Sequence, residues 1–186
     1  ILKLSTDYLQ AQNIESPRRE VEFLLSEFLN MSRLDLYLNF DRPLENRELD
    51  QFRERLKRRG RGEPGQYIHG SVHFYGLDLF VSPSVLIPRP ETEILVDMVA
   101  GSIENGKKCL DLCSGSGCIG LALKNKFPKL SVYLSDISED ALVVAKKNAE
   151  RHQLDIHFFK GDLLEPFSDQ KFDYIVCNPP YISSIE

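Results

Sequence analysis

Between Lys107 and Cys177 short apolar runs alternate with stretches of helical spacing, and that alternation leaves few folds open. The runs are Cys109-Leu110-Asp111-Leu112, Val132-Tyr133-Leu134, Ile156-His157-Phe158-Phe159 and Phe172-Asp173-Tyr174-Ile175-Val176-Cys177. Helical spacing fills Ile119 to Phe127 and Ala141 to Arg151. Apolar strands separated by helices imply a parallel sheet covered by those helices. The connections should be right-handed. A sheet of four strands leaves the last with a raw edge, so the domain is expected to continue beyond Glu186. An Ile at position 1 agrees with a piece of a longer chain.

Residues 1–65 read differently. Val21, Leu24, Leu25 and Phe28, then Leu34 and Leu38, then Leu49, Phe52 and Leu56 recur at helical spacing, which predicts a small helical domain. Ser16-Pro17 offers a cap residue and a proline suited to a first turn. Charges balance there, 12 basic against 12 acidic. The basic run Arg53, Arg55, Lys57, Arg58, Arg59, Arg61 reads as a solvated helix end, with RNA contact as the minor alternative. Residues 66–90 are read as a β-hairpin linker, from Gln66-Tyr67-Ile68-His69-Gly70 and His73 to Val81, stiffened by Ile87-Pro88-Arg89-Pro90-Glu91. Residues 91–186 form the second domain. No apolar run reaches the roughly 18 residues of a membrane span, no signal peptide is visible, and a cytoplasmic protein is expected. Cys109, Cys113, Cys118 and Cys177 are expected as reduced core thiols, without a metal site.

The chemistry gathers where strands end. Asp111-Leu112-Cys113-Ser114-Gly115-Ser116-Gly117-Cys118-Ile119-Gly120 follows the first apolar strand, and glycines there let the backbone approach a nucleotide-like ligand at a helix N-terminus. Asp136, nineteen residues past Gly117, stands where a carboxylate accepts ribose hydroxyls. Asp162-Leu163 could flank an adenine ring. Gly115-x-Gly117-x-x-Gly120 also fits a dinucleotide fingerprint, so this loop alone leaves the cofactor open.

Asn178-Pro179-Pro180-Tyr181, directly after the fourth strand, discriminates. Methylating a planar amide or ring NH2 requires positioning of a poor nucleophile. The Asn178 side-chain oxygen and the Pro179 carbonyl can each accept one N–H, the prolines stiffen the loop, and Tyr181 offers a flat face. A dehydrogenase has no use for such a loop.

On these residues, together with Phe74-Tyr75-Gly76 and Ile87-Pro88-Arg89-Pro90-Glu91-Thr92-Glu93, the chain resembles the release factor glutamine methyltransferases, over essentially its whole length. The resemblance implies a Rossmann-like, doubly wound, mostly parallel α/β sheet preceded by the helical domain. It implies methyl transfer from S-adenosylmethionine to N5 of the glutamine in the Gly-Gly-Gln motif of class 1 peptide chain release factors. A monomer is expected. Asp111, Cys113, Ser114, Gly115, Ser116, Gly117, Asp136, Asp162, Leu163 and Asn178 would then contact the cofactor. Asn178 and Pro179 would hold the amide, with Pro180, Tyr181 and the aromatic wall of Phe74 around the substrate. Cys113 departs from the family, which usually has Gly there; a small thiol fits provided its backbone is not left-handed. Two alternatives stay open, an adenine N6-methyltransferase and a nicotinamide-binding module. Residues 66–186, with 11 basic against 16 acidic, disfavour nucleic acid.

Overall fold

The computed structural model describes residues 1–39, 41–104 and 106–180 and divides into two compact units, 1–70 and 71–186. In the first, helices α1 (Leu2–Ala11), α2 (Pro17–Leu29), α3 (Arg33–Leu38), α4 (Asn46–Gly60) and α5 (Gly65–His69) surround Leu9, Val21, Leu24, Leu25, Phe52, Leu56 and Ile68. Leu9, Val21 and Phe52 are fully enclosed, each burial stabilising by roughly 1.5–3 kcal/mol. Ser32 starts α3 with a capping box, its hydroxyl accepting the Asp35 amide while Asp35 accepts the Ser32 amide. Ser16 precedes α2 in the left-handed region and makes no side-chain cap, so Pro17 alone marks that start.

The basic run lies on α4 and is largely neutralised within the unit. Arg53 pairs with Asp50, Lys57 with Glu54, Arg58 with Glu63 and Arg59 with Glu20, while Arg55 lies over the Phe28 ring. That is a solvated, paired helix face rather than a free cationic patch. Between α1 and α4 an apolar cleft of about 450 Å³ is lined by Leu4, Tyr8, Leu49, Phe52 and Leu56.

The second unit opens with an antiparallel hairpin, β1 (Ser71–Phe74) and β2 (Leu77–Phe80), followed by α6 (Pro90–Ala100). Two readings from sequence need correction here. Residues 65–69 are helix rather than strand: Pro64 precedes the first turn, Gly70 ends it at φ 91°, and Ile68 packs in the helical core. The hairpin is not a bare linker, because Phe74, Leu77 and Leu79 face inward into the second core. Glu93 on α6 accepts the Tyr75 amide at 2.7 Å, which joins the turn Phe74-Tyr75-Gly76 to the Pro-Glu-Thr-Glu stretch.

Then follow β3 (Lys108–Leu112), α7 (Cys118–Lys126), β4 (Ser131–Asp136), α8 (Glu139–Arg151), β5 (His157–Lys160) and β6 (Tyr174–Cys177). All four strands are parallel, in the order β5-β4-β3-β6. The chain moves outward from β3 to β4 and β5, then returns to β3's other side as β6, with Leu112 opposite Cys177. That reversal between β3 and β6 opens a crevice at their carboxyl ends, the place where open α/β sheets bind ligands. Among the described residues no helix is long and apolar enough to cross a membrane.

Candidate active site

The turn between β3 and α7 is built by contacts that fix its backbone. Ser114 N–H donates to the Ser135 carbonyl at 3.0 Å, Gly115 N–H to Asp136 Oδ2 at 2.8 Å, and Gly117 N–H to the Ser114 carbonyl at 2.7 Å. Gly117 is required twice over: its φ is 79°, and an added Cβ would stand 3.0 Å from Leu134 Cδ1 and 3.3 Å from Ala145 Cβ. Gly120 serves packing, since a Cβ there would fall 2.3 Å from Leu134 Cδ2. It lets α7 lie close on β4, the third-glycine role in nucleotide-binding turns.

Cys113 has φ 55°, so the condition under which a thiol would fit without strain is not met. A non-glycine residue in this region costs roughly 1–2 kcal/mol. Burial and the adjacent Cys177 thiol push the Cys113 thiol up to about 11. All four cysteines are free, but only Cys109 is buried and Cys177 is exposed, which corrects the expectation of core thiols throughout.

Asp136 ends β4 and uses both oxygens on backbone, Oδ2 on Gly115 and Oδ1 on the Ser138 amide at 2.9 Å, while Ser138 caps α8 by accepting the Ala141 amide. A carboxylate oxygen has two lone pairs, so these bonds leave acceptor capacity for a ligand. Asp162 and Leu163 lie exposed just after β5, Leu163 at φ 45°. Along the sheet's carboxyl edge stand, in strand order, Asp162-Leu163, Asp136, the 113–117 turn and Asn178.

Asn178 is half-buried and lines one crevice with Cys113, Ser114, Gly115 and Ser116. Pro179 and Pro180 are exposed beside it, and Tyr181 lies outside the described residues. Ser114 and Ser116 are 6% and 2% exposed; the Ser114 hydroxyl has no partner, and the Ser116 hydroxyl has at most the weak Cys118 thiol beside it. Such buried polar atoms are costly unless a ligand or an ordered water completes them.

The model of the Methyltransferase small domain matches residues 90–186, and that of the PrmC N-terminal domain matches residues 1–70. The release factor glutamine methyltransferase of Geobacter sulfurreducens is 43% identical over all of this chain, which spans 66% of that protein's length. The enzyme of the same name from Chlorobaculum tepidum is 39% identical over all of this chain, here spanning 68%. This chain belongs to the release factor glutamine methyltransferase family. A solved structure similar to part of this chain is that of Pyrococcus abyssi tRNA (uracil-54, C5)-methyltransferase in complex with S-adenosyl-L-homocysteine. It is 26% identical with a TM-score of 0.50, covering 59% of this chain and 28% of that one.

Two residues assigned to the site from the family resemblance lie elsewhere. Phe74 is 1% exposed and belongs to the same buried core as Leu79, Val96 and Ile119, because β1 turns that position inward; it is a core residue, not a wall of the crevice. Asp111 is buried beneath the turn, its Oδ2 accepting the Gly120 amide at 2.9 Å while Oδ1 has no partner. Conversely, Leu86, Pro88 and Arg89, from the stretch read as a linker, line the crevice together with Thr92 of α6. The signal was present in Ile87-Pro88-Arg89-Pro90-Glu91-Thr92-Glu93, a family-specific stretch too particular for a spacer.

Burial raises the Asp111 carboxyl from 3.8 to about 7; the Gly120 amide opposes the shift and the Asp136 charge adds to it. A raised native value means the folded protein holds a proton that the unfolded chain releases. This contribution to stability is complete below pH 4 and is lost as pH rises to about 7, amounting to roughly 4 kcal/mol. Asp111→Asn keeps an acceptor for Gly120 but cannot ionise. Urea unfolding from pH 5 to 8 is expected to show a smaller decline for the variant than for the parent; parallel curves would mean that Asp111 does not titrate.

Proposed function

We propose that this protein transfers a methyl group from S-adenosylmethionine to the side-chain N5 of the glutamine in the Gly-Gly-Gln motif of class 1 peptide chain release factors. The observation carrying this reading is that Asn178 shares one crevice with the 113–116 turn at the sheet's switch point. Family membership supports the class of reaction. The residues present also fit the cofactor: the buried Ser114 hydroxyl lacks a partner, Asp136 retains acceptor capacity, and the turn lies at the N-terminus of α7.

In this reading Cys113, Ser114, Gly115, Ser116 and Gly117 hold the cofactor's amino-acid end, Asp136 its ribose, and Asp162 with Leu163 its adenine. When bound, S-adenosylmethionine supplies an electrophilic methyl group. The protein's share is positioning. Asn178 Oδ1 and the Pro179 carbonyl accept the two N–H groups of the glutamine amide, fixing the nitrogen and favouring the positive charge it gains. No strong base is needed beforehand, because the amide proton becomes acidic only as the new bond forms. Pro180 borders the substrate, and the N-terminal helical domain contributes to docking the release factor.

The test is to incubate a purified release factor with the full-length protein and S-adenosylmethionine, then map added methyl groups by mass spectrometry. One methyl on the Gly-Gly-Gln glutamine is expected. Transfer to adenine in nucleic acid, with none to that glutamine, would reassign the Asn-Pro-Pro-Tyr chemistry to another substrate.

A further inference from the structure

Asn148 stands in the third turn of α8, away from the crevice, yet it is 0% exposed. Its side chain accepts the Phe80 amide on Oδ1 at 2.6 Å. Its Nδ2 donates to the Phe80 carbonyl at 3.0 Å and to the Ser116 carbonyl at 2.9 Å. The amide is thus engaged with two backbone segments that the sequence separates widely. Phe80 closes the hairpin and leads into the stretch that contributes Leu86, Pro88, Arg89 and Thr92 to the crevice. Ser116 belongs to the opposite wall, one residue before Gly117 turns the chain into α7.

A helix requires nothing of this kind at such a position. The α8 backbone is already bonded within itself, and packing alone would be served by Ala or Leu. Burying a primary amide is favourable only when its donors and acceptor are matched, and here both donor hydrogens and the oxygen are used. The same helix grips the hairpin independently: His152 Nε2 lies 3.0 Å from the Asp78 carbonyl, and Lys147 Nζ lies 3.5 Å from the centre of the Phe80 ring. Attachment of α8 to β2 therefore does not depend on Asn148 alone. What Asn148 adds is the link onward to Ser116.

We propose that Asn148 is a positioning residue, whose side-chain amide sets the spacing between the two walls of the cofactor crevice by tying the Ser116 carbonyl to the Phe80 peptide. The proposal rests on the reading of that crevice as the S-adenosylmethionine site. Without the tether, the turn and the 81–92 stretch become independent. Their mutual ordering must then be supplied by the ligand, which weakens binding.

The experiment measures S-adenosylhomocysteine affinity by calorimetry and thermal stability for the full-length protein and two variants. Asn148→Ala is expected to weaken binding by the folded protein at least about tenfold, the order expected for losing one to two hydrogen bonds. His152→Ala cuts a neighbouring α8–β2 contact without touching the turn. It is expected to lower the melting temperature and leave affinity within about twofold, a change below 0.5 kcal/mol. If Asn148→Ala melts early but binds like the parent, its role is structural and the proposal falls. A second measurement covers an Asn148→Ala that fails to fold: in the parent, saturating S-adenosylhomocysteine should slow hydrogen exchange at the Phe80 amide, which donates to Asn148. Unchanged exchange at Phe80, with slowed exchange at Gly115, would overturn the tether. A parent protein that does not bind S-adenosylhomocysteine would instead overturn the cofactor reading itself, and the proposal with it.

Discussion

Replacing Asn178 by Ala is expected to lower kcat for methylation of a release factor by about 10²–10³-fold, the range observed when one preorganised polar group is removed from a developing charge. The reasoning begins with the nucleophile. An amide nitrogen shares its lone pair with the carbonyl, so it reacts only when held in place and when its growing positive charge meets acceptors. Asn178 follows β6 immediately, and the stiff Pro179-Pro180 pair succeeds it, so its acceptor is mounted on the sheet rather than on a long loop. Asn178→Asp keeps an oxygen acceptor and should lose less than Asn178→Ala. Initial rates at saturating release factor separate the cases. An alanine variant within about threefold of the parent, a difference below 1 kcal/mol, would remove Asn178 from the amide clamp.

The sheet was legible because parallel strands buried on both faces must be apolar along their whole length. Leu110, Leu112, Val132, Leu134 and Val176 carry that signature and are all buried. The position of Asn178 beside the glycine turn followed from the same logic once β6 paired with β3. Local pattern failed where long-range packing decides. Tyr67-Ile68, followed by Gly70, is β-prone locally, yet Ile68 is drawn into the helical core and the segment closes as a short helix. Phe74 next to a turn looks available to a ligand, but the two-residue period of β1 directs it inward. Asn148 was invisible for the opposite reason. A polar residue in Lys146-Lys147-Asn148-Ala149-Glu150 reads as solvated, and nothing local indicates that Phe80 and Ser116 will close over it. The left-handed backbone of Cys113 likewise comes from the turn as a whole, not from its own preference.

Asp136→Ala is expected to raise the dissociation constant for S-adenosylhomocysteine by about 10²–10³-fold, while altering kcat at saturating cofactor much less. The carboxylate supports two backbone amides, Gly115 and Ser138, and hydrogen bonds to charged groups contribute roughly 1.5–3 kcal/mol each. Losing it unfastens the turn from β4 as well as removing the acceptors proposed for the ribose. Asp136→Asn has one acceptor oxygen where two are used, so it should fall between alanine and the parent. The separation from kcat follows from the sheet. Asp136 ends β4 and Asn178 follows β6, with β3 between them, so two inter-strand steps of about 4.8 Å separate cofactor anchoring from the amide clamp. Calorimetric titration and saturation kinetics on both alanine variants therefore give opposite signatures, affinity for Asp136 and turnover for Asn178. An Asp136→Ala that binds normally but turns over slowly would place the carboxylate's influence at the reacting nitrogen, contrary to the division of labour along this sheet edge.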